Sequence, residues 1–382
     1  MSLRGLARAA RRAGRQAAGA GLEALVRTAA LGVPSLPVPP SPPRSIFVLR
    51  NNDVGDLLAV TPLFAALRGS FPAAHIAAGV GAWNLDVLRL NPHLSEVLPV
   101  NAPWFNKYQE SYGAGGRMRY LLRSSEMREL AARRFDVGID VLGSAWGSLL
   151  LLRARIPYRL GVRGYAGGHS GVQVALPFDP GLHVGRAALR FAAALGVRSL
   201  PENRPQIFLS AAETAAAEAR WTAAGAPRGR TRRLVVGPGG GLAAKRWPAA
   251  AFAELARRLP ELGPVSALVL GGPGEEELAA AVASASPAAW SFPAPPGLRE
   301  TFALVATCDL VVCNSSMLLH AAAAFARPVV VVLGASFPSA RRHQAQWGYP
   351  GLSRSLGKEP GERDHLATPG EALAAIREEM SA

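Results

Sequence analysis

The feature that most constrains this chain is a unit that keeps returning: a short apolar, β-branched run, a tight loop, then a stretch with helical periodicity. "SIFVLR" leads into "NNDVGD" and a pattern that puts Leu57, Val60, Leu63, Phe64 and Leu67 on one side. "RRLVVGPGG" leads into "WPAAAFAELARRL", and "VSALVLGGPG" into "EEELAAAVA". "DLVVCN" opens onto a helix bearing His320, which is followed by "PVVVVLG". "HIAAGV" and "DVGIDVL" read as further strands, with "MRELAARR" as an intervening helix. Apolar strands that alternate with helices are the pattern of a parallel sheet covered on both faces. Pro62 and Pro248 each suit a first helical turn, so the helix after "NNDVGD" is expected to begin close to Pro62. Near the end, Thr368-Pro369-Gly370-Glu371 has the spacing of a capping box that opens a last helix.

With 382 residues, 49% of them hydrophobic, the chain can fill two cores. The expected architecture is α/β, with two Rossmann-like domains facing across a cleft that is the default binding site. Residues 1–43 read as a basic leader and Pro-rich linker, 44–185 as the N-terminal domain and 186–229 as an interdomain connection. Residues 230–367 read as the C-terminal domain and 368–382 as a C-terminal helix.

In the leader, Arg4, Arg8, Arg11, Arg12 and Arg15 fall on one face at helical spacing. Such a segment either lies on an anionic membrane or is a solvated tail. The formal net charge of +15 suits anionic partners such as phosphorylated substrates, an acidic membrane surface or nucleic acid. It is equally what a preference for arginine codons produces. No apolar run reaches the roughly 20 residues that a membrane span needs. Cys308 and Cys313 are too few for a zinc site and poorly spaced for a bridge, which fits a reduced compartment. The seven histidines show no local metal-ligand clustering, and no nucleophile elbow is present.

Chemistry concentrates in the loops after the strands. In "GPGGGLAAKRWP" the backbone N–H groups of Gly239 and Gly240 suit a phosphate, and Lys245 and Arg246 arrive just before a helix start. These two cations either reinforce a diphosphate site or form a solvated surface pair. "GGPGEE" brings Gly272 to the end of the next strand, where a nucleotide can approach closely. In the first loop, Asp53 and Asp56 face the cleft, where an aspartate serves either as a general base on a hydroxyl or as a helix cap.

Taken together, "IFVLRNNDVGDLLAVTPLFAALRGSFP", "HVGRAALRFAAALGV", "VVGPGGGLAAKRWP", "LVLGGPGEEE" and "CDLVVCNSSMLLHAAAAFARPVVVVLGAS" resemble glycosyltransferase family nine, the heptosyltransferase-like enzymes of lipopolysaccharide assembly. The resemblance runs in family order from about residue 46 to 336. It implies a GT-B fold with the acceptor on the N-terminal domain and a nucleoside diphosphate sugar on the C-terminal one. It implies inverting transfer without metal or cofactor, the nucleotide-sugar being a substrate. Asp56 matches the aspartate of the Gly-Asp motif, the family's base, with Asn52, Asp53 and Gly55 beside it on the acceptor side. Lys245 matches the lysine of Lys-x-Trp-Pro at a phosphate, and His320 the histidine of N-D-S-G-x-x-H at the donor diphosphate. There, with Ser316 and the helix N-terminus, it is expected to donate hydrogen bonds to the leaving group.

The same motif carries a departure. Where the family reads N-D-S-G, this chain has Asn314, Ser315, Ser316 and Met317. Ser315 therefore lies at the donor site without the carboxylate, and Met317 adds bulk near phosphate. Either the donor differs or the donor site has decayed, which leaves a non-catalytic GT-B binding module as the alternative. A nicotinamide-dependent oxidoreductase rests only on generic Rossmann features. The expected partners are a nucleoside diphosphate sugar and a phosphorylated glycolipid, with no nucleic acid. The expected location is the cytoplasm, with peripheral contact to an anionic membrane on the cytoplasmic face of the inner membrane.

Overall fold

The computed structural model describes residues 19–110, 113–359, 361–362 and 365–381. The arginine cluster from Arg4 to Arg15 lies outside them. A first helix, α1, covers residues 19–31. The N-terminal half continues with β1 (Ser45–Leu49), α2 (Val54–Val60), α3 (Pro62–Ser70), β2 (His75–Val80), α4 (Leu85–Leu88) and β3 (Glu96–Pro99). It is completed by α5 (Gly113–Arg123), α6 (Ser125–Ala132), β4 (Val137–Asp140), α7 (Ala145–Arg153), β5 (Tyr158–Arg163), β6 (Val174–Pro177) and α8 (Val184–Ala194). The C-terminal half begins with α9 (Ala211–Ala223), β7 (Arg232–Gly237), α10 (Ala249–Arg258), β8 (Val265–Val269), α11 (Glu276–Ala283), β9 (Ala289–Ser291) and α12 (Leu298–Ala306). It ends with β10 (Leu310–Cys313), α13 (Met317–Ala324), β11 (Val329–Val332), α14 (Ala340–Trp347), β12 (Ser353–Leu356) and α15 (Pro369–Ser381).

These elements build two six-stranded sheets, ordered β3-β2-β1-β4-β5-β6 and β12-β11-β10-β7-β8-β9. Their central pairings are parallel: Leu49 lies opposite Asp140, and Cys313 opposite Gly237. The loops leaving β1 and β4 therefore emerge side by side, as do those leaving β7 and β10. Each pair sits where the strand order reverses, the position at which open α/β sheets receive ligands. The strands are apolar on both faces because helices cover both. Ile46, Phe47 and Val48 of β1 and the four valines of β11 have no exposed surface. Cys308 and Cys313 are free and buried, and burial pushes both thiols up to about 12.

Three sequence expectations change. The helix after the first loop starts at Val54, well before Pro62, and Pro62 opens a second helix. Thr61 joins the two, its hydroxyl donating to the Leu58 carbonyl and accepting from Gln206 N, both at 2.8 Å. The expected connection 186–229 is divided between the domains. Helix α8 packs on α2 and α3, α9 packs on α12, and the chain crosses between residues 195 and 210. The stretch 1–43 is also not wholly a leader and linker, because α1 belongs to the N-terminal domain. Val26 is fully buried beside Leu150 and Leu152. Glu23 accepts hydrogen bonds from the backbone N–H groups of Gly168 (2.6 Å) and Ser170 (2.7 Å). The proline-rich part is pinned too: Arg159 donates to the Pro34 carbonyl at 3.2 Å, and Leu36 N to the Pro157 carbonyl at 3.1 Å.

At the other end the capping box forms. Thr368 N donates to Glu371 Oε2 at 2.6 Å and Glu371 N to Thr368 Oγ1 at 3.2 Å. The helix that it starts buries Ala372, Leu373, Ala375 and Ile376 in the C-terminal core.

Replacing Glu23 by alanine strips two charge-assisted bonds from the 168–170 loop. The expected cost is about 1–3 kcal/mol, read as a lower urea midpoint at unchanged slope. An unchanged midpoint would show that α1 contributes nothing to the stability of the domain.

Candidate active site

The N-terminal wall of the cleft is the loop after β1. Arg50, only 5% exposed, holds α2 from below: Nη2 reaches Asp56 Oδ1 at 3.2 Å and Nε donates to the Asp56 carbonyl at 3.4 Å. Asp56 sits in the first turn of α2 and caps nothing. Its side chain keeps 31% of its surface exposed. Behind it lies Asp140, whose carboxyl burial pushes up. That carboxyl accepts from Ser144 N at 2.8 Å and shares the field of Arg50. Asn51 and Asn52 serve the loop opposite: their amides donate to the carbonyls of Trp104 (3.2 Å) and Phe105 (2.7 Å).

Asp53 occupies the N-cap position of α2 but makes no side-chain cap bond, and its Oδ1 is buried without a partner. Burial pushes its carboxyl up, against the pull of the Lys107 and Lys245 ammonium groups. Lys107 comes from the N-terminal domain and Lys245 from the C-terminal one, so Asp53 faces the cleft between two cations. The helix-cap alternative fails for both aspartates.

Asp56 also lines a cavity of about 370 Å³. Arg50 and Asn52 flank it there, Val162 and Leu176 come from the sheet, Phe191 from α8, and Gln346 and Trp347 from α14. The cavity is therefore walled by both halves of the chain.

Across the cleft, Asn314 organises the donor-side loops, although the motif reading assigns it no role. Its Oδ1 accepts from Trp247 N at 2.8 Å, and its Nδ2 donates to the carbonyls of Pro238 (2.7 Å) and Gly239 (2.9 Å). Two of the loop glycines, Gly240 and Gly272, already spend their amides within the chain. Glu275 Oε1 accepts from Gly240 N and Oε2 from Gly272 N, each at 3.0 Å. A Cβ added to Gly239 would fall 1.9 Å from Glu275 Oε2, so a side chain there would displace the Glu275 carboxylate from its present place. Arg246 folds back onto this carboxylate at 3.0 Å and onto the Gly240 carbonyl at 2.6 Å. Neither reading of the Lys245-Arg246 pair as a unit holds. Arg246 is structural, whereas Lys245 is exposed, with its Nζ 5.7 Å from the centre of the Phe337 ring.

Ser316 is the N-cap of α13, accepting weakly from Leu318 N at 3.4 Å. Ser315 lies within 2.8 Å of His343 Nε2, while His343 Nδ1 lies 2.8 Å from Ser355 Oγ. Burial, with Lys245 nearby, holds His343 down to about 4. A neutral hydroxyl and a neutral imidazole thus occupy the place of the missing carboxylate.

His320 differs from its expected role at the leaving group. It is 4% exposed, and burial holds its pKa down to about 3, so it carries no charge near neutrality. Nδ1 lies 2.7 Å from Tyr349 Oη, and the ring packs edge-on against Trp347 and Tyr349. Its other side meets the acceptor domain: a Cβ added to Gly55 would lie 3.2 Å from His320 Cδ2. His320 therefore joins the two domains. Of the remaining candidates, Asp53, Asp56 and Lys245 face the cleft, with Ser315 and Ser316 at the start of α13. Asn52 and Gly55 support the wall, and Gly239, Gly240 and Gly272 cradle Glu275. Among the described residues, no three His, Cys, Asp or Glu side chains are grouped to hold a metal ion.

His183, held down to about 4 by burial, completes a set of three neutral histidines, with His320 lying in the field of the other two. All three fold with lowered pKa values, so the unfolded chain binds protons first as pH falls below about 6.5. Stability should be full above that pH and decline toward about pH 4, by on the order of a few kcal/mol in total. Urea titrations from pH 8 to pH 4 test this, and a flat profile between pH 7 and pH 5 would contradict it.

Comparison with known proteins agrees with this geometry. The sequence pattern of "Glycosyltransferase family 9 (heptosyltransferase)" matches residues 123–347. Lipopolysaccharide heptosyltransferase 2 of Salmonella typhimurium is 28% identical over 322 residues, covering 77% of this chain and 83% of its own. The Escherichia coli protein of the same name is 27% identical over 323 residues, with the same coverage. Among solved structures, the E. coli ADP-heptose lps heptosyltransferase II superposes with a TM-score of 0.69 at 23% identity, covering 88% of this chain and 98% of its own. A glycosyl transferase family 9 protein of Veillonella parvula superposes at 0.73 and 18% identity, covering 91% and 99%. The fold is GT-B, and the chain belongs to glycosyltransferase family 9, the heptosyltransferase family.

Proposed function

We propose that this glycosyltransferase moves a heptose or related sugar from a nucleoside diphosphate to a glycolipid acceptor of the lipopolysaccharide type, with inversion and without a metal ion. The observation that carries the reading is Asp56: an accessible carboxylate, oriented by a buried arginine, at the edge of a cavity that meets the donor-side wall. Asp56 takes the proton of the acceptor hydroxyl as that oxygen forms its bond to the anomeric carbon. The bond from the anomeric carbon to the diphosphate breaks, and the nucleoside diphosphate leaves with the electron pair. Lys245 and the N-terminus of α13, with Ser316, face the charge that develops there. His320, neutral and buried, keeps the two walls in register. The names of the relatives support the lipopolysaccharide assignment: two are lipopolysaccharide heptosyltransferases, and one solved E. coli heptosyltransferase was crystallised with ADP.

Asp56→Asn is expected to lower turnover of a nucleotide-sugar by about two to four orders of magnitude while leaving nucleoside diphosphate affinity nearly unchanged. Equal turnover in variant and parent would remove Asp56 from the reaction.

The donor sugar is a separate matter, because Ser315 brings no charge to it. Ser315→Asp would set an anion at 2.8 Å from His343 Nε2. The imidazole pKa should then rise by at least about one unit, which the ring-proton NMR titration reads. The restored carboxylate should also tighten ADP-heptose about tenfold relative to ADP. If neither the titration nor the affinity ratio moves, the absent carboxylate does not govern donor choice.

A further inference from the structure

The cavity beside Asp56 points to the chemistry of the acceptor. Most of its wall is apolar, with Val162, Leu176, Phe178, Leu182, Phe191 and Trp347 among the lining side chains. Its ionic side chains balance: Arg50 and Arg190 against Asp56 and Asp179. Arg50 is committed to Asp56, and Arg190 spends one N–H on the Pro177 carbonyl at 3.2 Å. A phosphorylated group needs several converging cations or N–H groups, and in a lining whose charges balance Arg190 alone is without a carboxylate partner. At its mouth, Tyr165 (53% exposed) and Phe178 (45% exposed) place their rings 4.8 Å apart, an apolar rim continuous with the wall.

We infer that the acceptor carries its reactive hydroxyl next to a hydrocarbon segment, and that this segment fills the cavity while the hydroxyl meets Asp56. The inference rests on the transfer reading only in taking the Asp56 end as the reacting one. An alkyl-type aglycone is the matching chemistry: one polar ring at the Arg50, Asn52 and Asp56 end, and methylenes against the aliphatic and aromatic wall. Phosphates elsewhere on such an acceptor lie outside the cavity. Anionic groups therefore do not select the acceptor at this site, and hydrocarbon does.

Binding of alkyl β-glucosides, from methyl to octyl and below their micellar concentrations, tests this by calorimetry on the whole chain. Each added methylene should tighten binding about threefold until the cavity is full. Ala187→Phe, which fills the cavity from α8, should abolish the gain while ADP binds as before. Phe178→Ala, at an exposed position that folding tolerates, should weaken the octyl compound at least about threefold. Equal binding of methyl and octyl glucosides would overturn the inference. So would a gain that survives Ala187→Phe, or displacement of the octyl compound by inorganic phosphate. A chain-length gain in a protein that turns over no nucleotide-sugar would instead overturn the transfer reading and leave the subsite standing.

Discussion

The contact on which the site depends is that between Gly55 and His320. Helix α2 follows the first strand of one sheet, and α13 follows a central strand of the other. They meet because Gly55 leaves room for the His320 ring where any side chain would press against it. That approach has an electrostatic consequence. The imidazole is shut away from water, loses its charge and becomes a spacer held by Tyr349. A charged histidine there would have to be hydrated, and hydration would part the domains. The neutral ring is thus part of the contact that joins α2, the helix carrying Asp56, to α13 on the donor side.

A second constraint explains why the glycine loops are not where a phosphate would rest. Glycine-rich turns are usually read as anion cradles, and this one is a cradle, but for Glu275. The carboxylate ties the loop after β7 to the loop after β8, and Arg246 neutralises it from within. With Gly240 and Gly272 N–H groups and Arg246 all committed, the free positive character lies on Lys245 and at the start of α13. Those two elements flank Ser315, so the position of the departure from the family pattern is also the position where the uncommitted charge collects. The substitution therefore bears on the part of the site still open to a ligand.

Much of the architecture was legible because the central strands are apolar on both faces, and no other arrangement buries such runs. Edge strands were not: β3, β6 and β12 are short, and "EVLP", "VALP" and "SRSL" carry proline or polar residues that an edge accepts. Helix α1 was hidden by alanines, whose helical face gives little hydrophobic contrast; its anchors, Glu23 and Val26, acquire meaning only from the 168–171 loop far along the chain. In the site, motif position pointed to Asp56 and Lys245, both of which keep part of their side chains accessible. Asn314 stood inside a quoted motif, yet its three bonds to the two ends of the loop after β7 are invisible in one dimension. His320 was placed correctly in the chain and wrongly in chemistry, because residue type says nothing about burial. Burial, with His183 and His343 nearby, is what lowers its pKa.

The two halves of the cleft thus obey opposite rules. On the donor side, polar groups are bonded to one another until little is left over, and Lys245 stays exposed among them. On the acceptor side, Arg50 and Asn52 flank Asp56, and the wall beyond them is mostly apolar, with Asp179, Arg190 and Gln346 among its side chains. A general base gains from such a boundary. Water is kept off one side of the carboxylate by hydrocarbon, while the buried arginine on the other keeps it oriented. The same boundary sets a demand on the acceptor, which must present a hydroxyl at the polar rim and cover the apolar surface beyond it. Base orientation and acceptor choice therefore follow from one feature, the change from paired charge to hydrocarbon within the reach of a single side chain.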